Sequence, residues 1–285
     1  MINHFLKFYS VNPFIFKFGK LYFRWYGLMY IIGFFFSLFL AKKKFNNMNI
    51  TFISKKNLEN LIYYIFISVL VGGRVGYVLI YKTKNFLNNP FYILKIWYGG
   101  MSFHGGLIGV MLTIKIFLIK KKNKNYLKIS DFISTIIPIC IGLGRLGNFI
   151  NDELYGIIAI NFPIKILFQS SLIDDLKFIS KHYKFKCLFN KYGRLPRHPS
   201  QIYEVILEGL ILFIIINCFI KKKRPKGSVS GLFLTIYGLF RFLVEYFRNN
   251  DFNLILLNYF TIGQILSLPM ILLGMYLILN SYKFN

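Results

Sequence analysis

Gln201-Ile202-Tyr203-Glu204-Val205-Ile206-Leu207-Glu208-Gly209-Leu210-Ile211-Leu212-Phe213-Ile214-Ile215-Ile216-Asn217-Cys218-Phe219-Ile220, closed by Lys221-Lys222-Lys223-Arg224, decides the class of fold. An apolar run of about 20 residues is what a helix needs to cross the hydrocarbon core of a bilayer. Comparable runs recur at roughly 24–41, 58–81, 100–119, 129–150, 228–247 and 259–280. Seven such runs predict an all-α polytopic membrane protein. It forms one membrane domain over 1–285, with a small extracytoplasmic head at 151–199 between the fourth and fifth helices.

Composition points the same way. Hydrophobic residues make up 55% of the chain and aromatics 19%, too much apolar surface for a body of this size to cover in water. The formal net charge is +26, which in a soluble chain would suggest nucleic acid. Here the lysines cluster beside apolar spans, where anionic lipid head groups are the nearer partner. Membrane lipids, and not nucleic acid, are therefore the expected partners. Lysines outnumber arginines 28 to 8 amid abundant Asn, Ile, Phe and Tyr, the imprint of an AT-rich coding sequence. Against that drift, an arginine retained inside an apolar span is informative, because its planar fork binds anions in a way a lysine cannot.

Cys140, Cys187 and Cys218 form no close pair and are assigned no chemistry. The first twenty residues mix Lys7, Lys17 and Lys20 with aromatics and lack the pattern of a cleaved signal peptide, so the first spanning helix is expected to direct insertion. Lys42-Lys43-Lys44, Lys120-Lys121-Lys122 and Lys221-Lys222-Lys223-Arg224 follow the first, third and fifth runs. Alternation puts all three on one side, and the positive-inside rule makes that side cytoplasmic. The expected topology in a bacterial inner membrane is N-terminus periplasmic, C-terminus cytoplasmic and head periplasmic.

Under this topology a set of polar and ionisable residues from all seven spans shares one depth, in the outer half. They are Arg24 and Tyr26 in the first, Arg74 in the second, His104 in the third, Arg145 and Asn148 in the fourth, Glu204 and Glu208 in the fifth, Arg241 and Glu245 in the sixth, and Gln264 in the seventh. Such residues are costly in a bilayer and mark function by default. Arg241 lies on the order of 10 Å below the outer end of its helix. Glu245 follows it at i+4 on the same face and can orient the guanidinium. Arg145 and Arg241 can then clamp one phosphate by bidentate hydrogen bonds. For Arg24 and Arg74, snorkelling to the head groups is an equal reading.

His104, in Gly99-Gly100-Met101-Ser102-Phe103-His104-Gly105-Gly106, is either a satisfied core imidazole or a general base approached by a ligand past the glycines. Gly72, Gly73 and Gly76, like Gly105 to Gly109, have the spacing of close helix packing. His4, His182 and His198 offer no metal-ligand spacing with His104, so no metal is expected.

Gly144-Arg145-Leu146-Gly147-Asn148-Phe149-Ile150-Asn151-Asp152-Glu153-Leu154-Tyr155-Gly156 resembles the signature of bacterial prolipoprotein diacylglyceryl transferases. Blocks at Arg24 to Gly27, Gly73 to Tyr77, Gly99 to Gly109, Arg197 to Glu204, Tyr237 to Arg248 and Gly263 to Ser267 resemble the same family, in family order. The resemblance implies a monomeric inner-membrane enzyme with seven spans and a periplasm-facing site. It would move the diacylglyceryl group of phosphatidylglycerol onto the lipobox cysteine thiol of a prolipoprotein signal peptide, releasing glycerol phosphate. No cofactor is implied. By position, Arg145 and Arg241 would hold the phosphate, while Tyr26, His104, Asn148, Glu153, Tyr237 and Glu245 would form the catalytic pocket. His104 and Glu153 both remain candidates for accepting the thiol proton. The sequence departs from the family pattern at Asp152 (usually glycine), Tyr155 (often tryptophan), Ile157 (often basic) and Tyr98 (often acidic).

A transporter would spread its charges through both leaflets or onto helices broken near the midplane. An intramembrane serine protease would need a serine beside His104, whereas Ser228 and Ser230 lie at the opposite end.

Overall fold

The computed structural model describes residues 6–7, 14–18, 21–47, 53–95, 99–160, 162–249 and 260–283. Strands β1 (Leu6–Lys7), β2 (Phe14–Phe18) and β3 (Leu21–Arg24) lead into helices α1 (Trp25–Asn47) and α2 (Lys55–Tyr81). A short α3 (Thr83–Asn88) precedes α4 (Phe103–Lys120), α5 (Tyr126–Ser134) and α6 (Ile137–Ile150). The head carries β4 (Ile166–Leu167), α7 (Leu172–Lys181), α8 (Lys186–Tyr192) and β5 (Pro196–Arg197). Helices α9 (Ser200–Phe219), α10 (Ser228–Val244) and α11 (Ile262–Lys283) complete the bundle.

Among the described residues α1, α2, α4, α9, α10 and α11 are long and apolar enough to span a membrane, and the bent α5–α6 pair brings the number to seven if it counts as one span. The chain is thus an all-α multi-pass membrane protein.

The fourth expected span is not the single straight helix that 129–150 suggested. α5 and α6 meet at 45°. Pro138 has no N–H to offer the Ser134 carbonyl and its ring clashes there, so the helix breaks. The Thr135 hydroxyl closes the last turn of α5 on Phe132 O at 2.8 Å. The Thr135 carbonyl, freed by the break, accepts from Lys44 Nζ at 2.9 Å and from Asn217 Nδ2 at 3.3 Å. Lys44, read in sequence as part of an exposed basic run, is therefore turned into the bundle, because α1 runs through Lys42–Lys44 instead of ending at 41.

Helices meet where side chains are missing. A Cβ on Gly105 would stand 2.9 Å from Gly76 Cα, and one on Gly231 would stand 2.8 Å from Gly274 O. Such approaches let dispersion forces hold helices together in lipid, where the hydrophobic effect between them is weak.

In the head β4 pairs parallel with β1 and antiparallel with β5. Its centre is polar. Arg197 Nε and Nη2 donate to Asp175 Oδ1 at 2.9 and 2.7 Å, and the other oxygen accepts from Ser171 Oγ at 2.7 Å and Leu195 N at 3.0 Å.

Candidate active site

At the end of the bundle that carries the head, three arginines from two helices and the turn after them meet three glutamates. Glu204 is the hub. Its Oε1 accepts from Arg241 Nη1 at 2.5 Å and from Arg248 Nη1 at 3.0 Å, and its Oε2 lies 3.4 Å from Arg145 Nε. Glu208 faces Arg145 Nη2 at 3.3 Å and Arg241 Nη1 at 3.9 Å. Glu245 pairs with Arg241 at 2.8 Å, at the i, i+4 spacing expected for this pair. Three cations and three carboxylates balance. The guanidiniums are thus held in place at low net charge by largely buried carboxylates, an arrangement suited to stabilising charge that develops later.

Local sequence explains how each group is aimed. Gly144 and Gly147 of the signature let α1 lie against α6: a Cβ on Gly147 would sit 3.1 Å from Tyr26 Cα, and one on Gly144 3.1 Å from the Tyr30 ring. Tyr26, whose hydroxyl donates to Tyr30 at 3.0 Å, is thereby placed within electrostatic reach of Arg145 and Glu153. Between Val205 and Ile211, α9 widens to a π-helical turn. At Gly209 it touches α6, where a Cβ would come 2.7 Å from Gly142 Cα. Glu204 and Glu208 therefore face the helix that bears Arg145.

Glu245 is fixed from α11. Thr261-Ile262-Gly263-Gln264 is a capping box, in which Gln264 N donates to Thr261 Oγ1 at 3.2 Å and Thr261 N to Gln264 Oε1 at 3.0 Å. The Thr261 hydroxyl also donates to Glu245 Oε1 at 3.1 Å. A Cβ on Gly263 would stand 2.8 Å from Glu245 Oε2.

His104 is the second residue of α4, capped by Ser102, whose hydroxyl accepts from Gly105 N at 3.3 Å. Its Nε2 lies 3.1 Å from Leu266 O. A carbonyl can only accept, so Nε2 carries the hydrogen and Nδ1 holds the lone pair of the neutral ring. His104 is half-buried and within electrostatic reach of Arg241 and Glu245. Of the glycines around it, Gly105 serves the close helix packing that its spacing suggests. Gly105 is packed on α2, while Gly99 and Gly100 have φ of 71° and 85°, a region that disfavours a side chain.

Arg74 does not snorkel. It is buried, donating to Ile93 O at 3.2 Å, Tyr92 O at 3.2 Å, Lys95 O at 2.7 Å and Gly99 O. It pins the segment that leads into His104. Arg24 is described only as the last residue of β3, and His4 and Tyr98 lie outside the described residues.

After α6 the chain turns sharply, with φ of 59° at Asp152 and 61° at Leu154. Glu153 between them is held by Gln201 Nε2, which donates to its carbonyl at 2.6 Å, and by its own N–H to Asn148 O at 3.0 Å. Gly156 N donates to His198 O at 2.8 Å and Ile157 N to Phe247 O at 3.0 Å, which ties this turn to the segment after α10. Tyr155 donates to Asp174 Oδ2 at 2.7 Å, which also accepts from Asn249 Nδ2 at 3.1 Å.

The structure brings Tyr26 near Arg145 and Glu153 on one side and His104 near Arg241 and Glu245 on the other, and buries Asn148 in α6 three residues after Arg145. Tyr237, stacked on Phe103 with ring centroids 4.3 Å apart, stands between them. Glu204, Glu208 and Arg248 were visible as charges but carried no assigned role. Thr261 has a sequence signal too, since the T-x-x-Q spacing to Gln264 is a recognisable cap pattern.

Comparison with known proteins places the chain in a family. A family model described as prolipoprotein diacylglyceryl transferase matches residues 13–280. The chain belongs to this family. Curated relatives named phosphatidylglycerol–prolipoprotein diacylglyceryl transferase include one from Wigglesworthia glossinidia brevipalpis, 48% identical over 99% of this chain and 100% of that protein. One from Salmonella arizonae is 47% identical over 99% of this chain and 97% of that protein, and one from Blochmanniella floridana is 49% identical over 97% and 98%.

Within the prolipoprotein diacylglyceryl transferase family the Asp152 departure now has a physical reading. The position needs a left-handed backbone, which glycine adopts freely and Asp tolerates better than most residues. Asp152 offsets the strain by accepting from Ser170 N at 2.6 Å through Oδ2. Ile157 is exposed and no contact explains its identity.

Proposed function

We propose that the chain transfers the diacylglyceryl group of phosphatidylglycerol to the lipobox cysteine of prolipoproteins. The observation that carries this reading is the buried Arg145–Arg241 pair, brought together on Glu204 and Glu208, with Glu245 also on Arg241. The prolipoprotein thiolate forms a C–S bond to the terminal glycerol carbon of the diacylglyceryl group. The C–O bond to phosphate breaks and its electron pair passes to the phosphate oxygen. Arg145 and Arg241 stabilise the charge that builds there. The thiol must first lose its proton, since the thiolate is the nucleophile. His104 Nδ1 or the Glu153 carboxylate receives it. Tyr26, Asn148 and Tyr237 shape the pocket, and Glu245 holds Arg241.

The N-terminus and the 151–199 head are periplasmic, the C-terminus is cytoplasmic, and the enzyme works as a monomer. Supporting this orientation, β1 pairs with β4 of the head, so the N-terminal segment shares the head's side. The basic runs follow helix ends on the other side.

The test is to incubate the purified chain with phosphatidylglycerol and a lipobox peptide and follow the peptide mass. A diacylglyceryl gain that is absent with a cysteine-to-serine peptide supports the reading. No gain with folded protein overturns it.

A further inference from the structure

Glu208 does more than the ion-pair network requires. Glu204 and Glu245 already hold Arg241 through short ion pairs at 2.5 and 2.8 Å. Glu208 is fully buried and meets Arg145 at 3.3 Å and Arg241 at 3.9 Å, yet neither of its oxygens accepts a hydrogen bond from the described residues. The Tyr237 hydroxyl is likewise fully buried without a hydrogen-bond partner among the described residues, and it lies within electrostatic reach of Glu208. Buried polar atoms left in this state are costly. The backbone is also shaped to put Glu208 there, by the π-helical turn from Val205 to Ile211 and by the Gly142–Gly209 contact beside it. Single π turns are frequent at functional sites.

The geometry of the proposed reaction says what belongs beside these atoms. A lipid that keeps its acyl chains in the bilayer brings its polar head furthest into the protein. The attacking thiol belongs to a membrane-inserted signal peptide, and displacement at carbon requires the leaving oxygen on the far side from the attacker. The phosphate on Arg145 and Arg241, and the head glycerol beyond it, are therefore the innermost parts of the substrate. A carboxylate at that place repels a second anion and gains nothing from an apolar group. It accepts hydrogen bonds from hydroxyls, and its two oxygens match a vicinal diol.

We propose that Glu208, together with the Tyr237 hydroxyl, forms the subsite for the glycerol hydroxyls of the phosphatidylglycerol head, and so selects the lipid by its head group. This rests on the transferase reading above. The site discriminates because an analogue without hydroxyls leaves the buried carboxylate and phenol unpaired.

The test uses the full-length purified chain, a lipobox peptide, and two lipids with the same acyl chains: phosphatidylglycerol and phosphatidylpropanol, whose head carries no free hydroxyl. Wild-type kcat/KM should favour phosphatidylglycerol by on the order of 10- to 100-fold, the loss of one or two hydrogen bonds to a charged acceptor. In Glu208→Ala the two lipids should come within about threefold of each other. Glu208→Gln, which keeps an acceptor oxygen and the side-chain volume, should retain part of the preference. A wild type that uses both lipids equally overturns the proposal. So does a Glu208→Ala or Glu208→Gln variant that slows both lipids by the same factor, the behaviour of a carboxylate that only steadies Arg145. Transfer from neither lipid by folded wild type is a different result, and removes the transferase reading itself.

Discussion

Arg241 and Glu204 are joined across 2.5 Å in a place where neither side chain is more than 11% exposed, and Arg248 reaches the same carboxylate oxygen at 3.0 Å. Removing one partner of a buried ion pair leaves an uncompensated charge, at a cost of about 3–5 kcal/mol. Glu204→Gln leaves three arginines sharing two carboxylates. It should lower thermal stability in detergent sharply and abolish transfer, whereas Glu59→Gln should change neither, since Glu59 only meets Lys42 at 3.3 Å with both side chains partly exposed. Differential scanning measurements on the two variants decide this. Equal stability of Glu204→Gln and wild type contradicts the hub role.

The α2–α4 contact makes a second expectation. A Cβ on Gly105 meets Gly76 Cα at 2.9 Å with backbone on both sides. Gly105→Ala should therefore separate the helices, destabilise the protein by about 1–3 kcal/mol, and slow transfer by moving the adjacent His104. Gly193→Ala carries a different penalty: nothing lies within 4 Å of its Cβ, and only the φ of 70° disfavours a side chain. It should leave turnover intact. Unfolding curves and kcat for the pair test the distinction.

Asp152 offers a test of sign. Its φ of 59° favours glycine, and its carboxylate holds Ser170 N at 2.6 Å. Asp152→Gly relieves strain and loses one hydrogen bond, each worth about 1 kcal/mol, so stability should change little. Asp152→Ala loses the bond and keeps the strain, and should cost about 1–2 kcal/mol. The order of melting temperatures is the readout. Asp152→Gly falling below Asp152→Ala sinks the explanation.

His198 gives a pH dependence. Its ring is packed between Phe162 and Phe247, with centroids 4.6 and 5.2 Å away, and Nδ1 lies 3.1 Å from the Tyr203 hydroxyl. Burial lowers its pKa below the ordinary 6.5. The unfolded chain therefore binds the proton more readily than the folded one, and the contribution of His198 to stability is present above pH 6.5 and lost as pH falls through the lowered value. Melting temperature should drop between pH 7 and 5 more steeply in wild type than in His198→Gln. Parallel profiles would falsify this assignment.

Cys187 tests orientation without any engineering. It is exposed in the head, whereas Cys140 is half-buried in α6. A membrane-impermeant maleimide should label wild type in intact spheroplasts, and Cys187→Ser should lose most of the label. Labelling that appears only after lysis places the head in the cytoplasm.

Much of this architecture can be read from the chain because the bilayer sets a strict length rule. Runs such as 201–220 obey it whatever their neighbours do. Arg241 and Glu245 were pairable from spacing alone. Elsewhere the controlling contacts are long-range. Nothing local tells that Glu204 serves Arg145, Arg241 and Arg248 at once, or that Lys44 satisfies the carbonyl freed at Thr135. The π turn at Val205–Ile211 has no composition signal, whereas Pro138 is a local signal for the break between α5 and α6 that the apolar run 129–150 masks. The head was opaque for a further reason. Its strands are two residues long, too short to show a period, and the Arg197–Asp175 pair inside it joins residues 22 apart in sequence.

The central claim is that Arg145 and Arg241 hold the phosphate while the thiol takes the diacylglyceryl group. The most direct measurement counts glycerol phosphate released and peptide modified in one reaction, for wild type and Arg145→Lys. The account predicts one glycerol phosphate per thioether in wild type, and a fall in kcat/KM on the order of 10²- to 10³-fold in Arg145→Lys, where a point charge replaces the bidentate fork. Glycerol phosphate released without peptide modification, or an Arg145→Lys enzyme as fast as wild type, would contradict it.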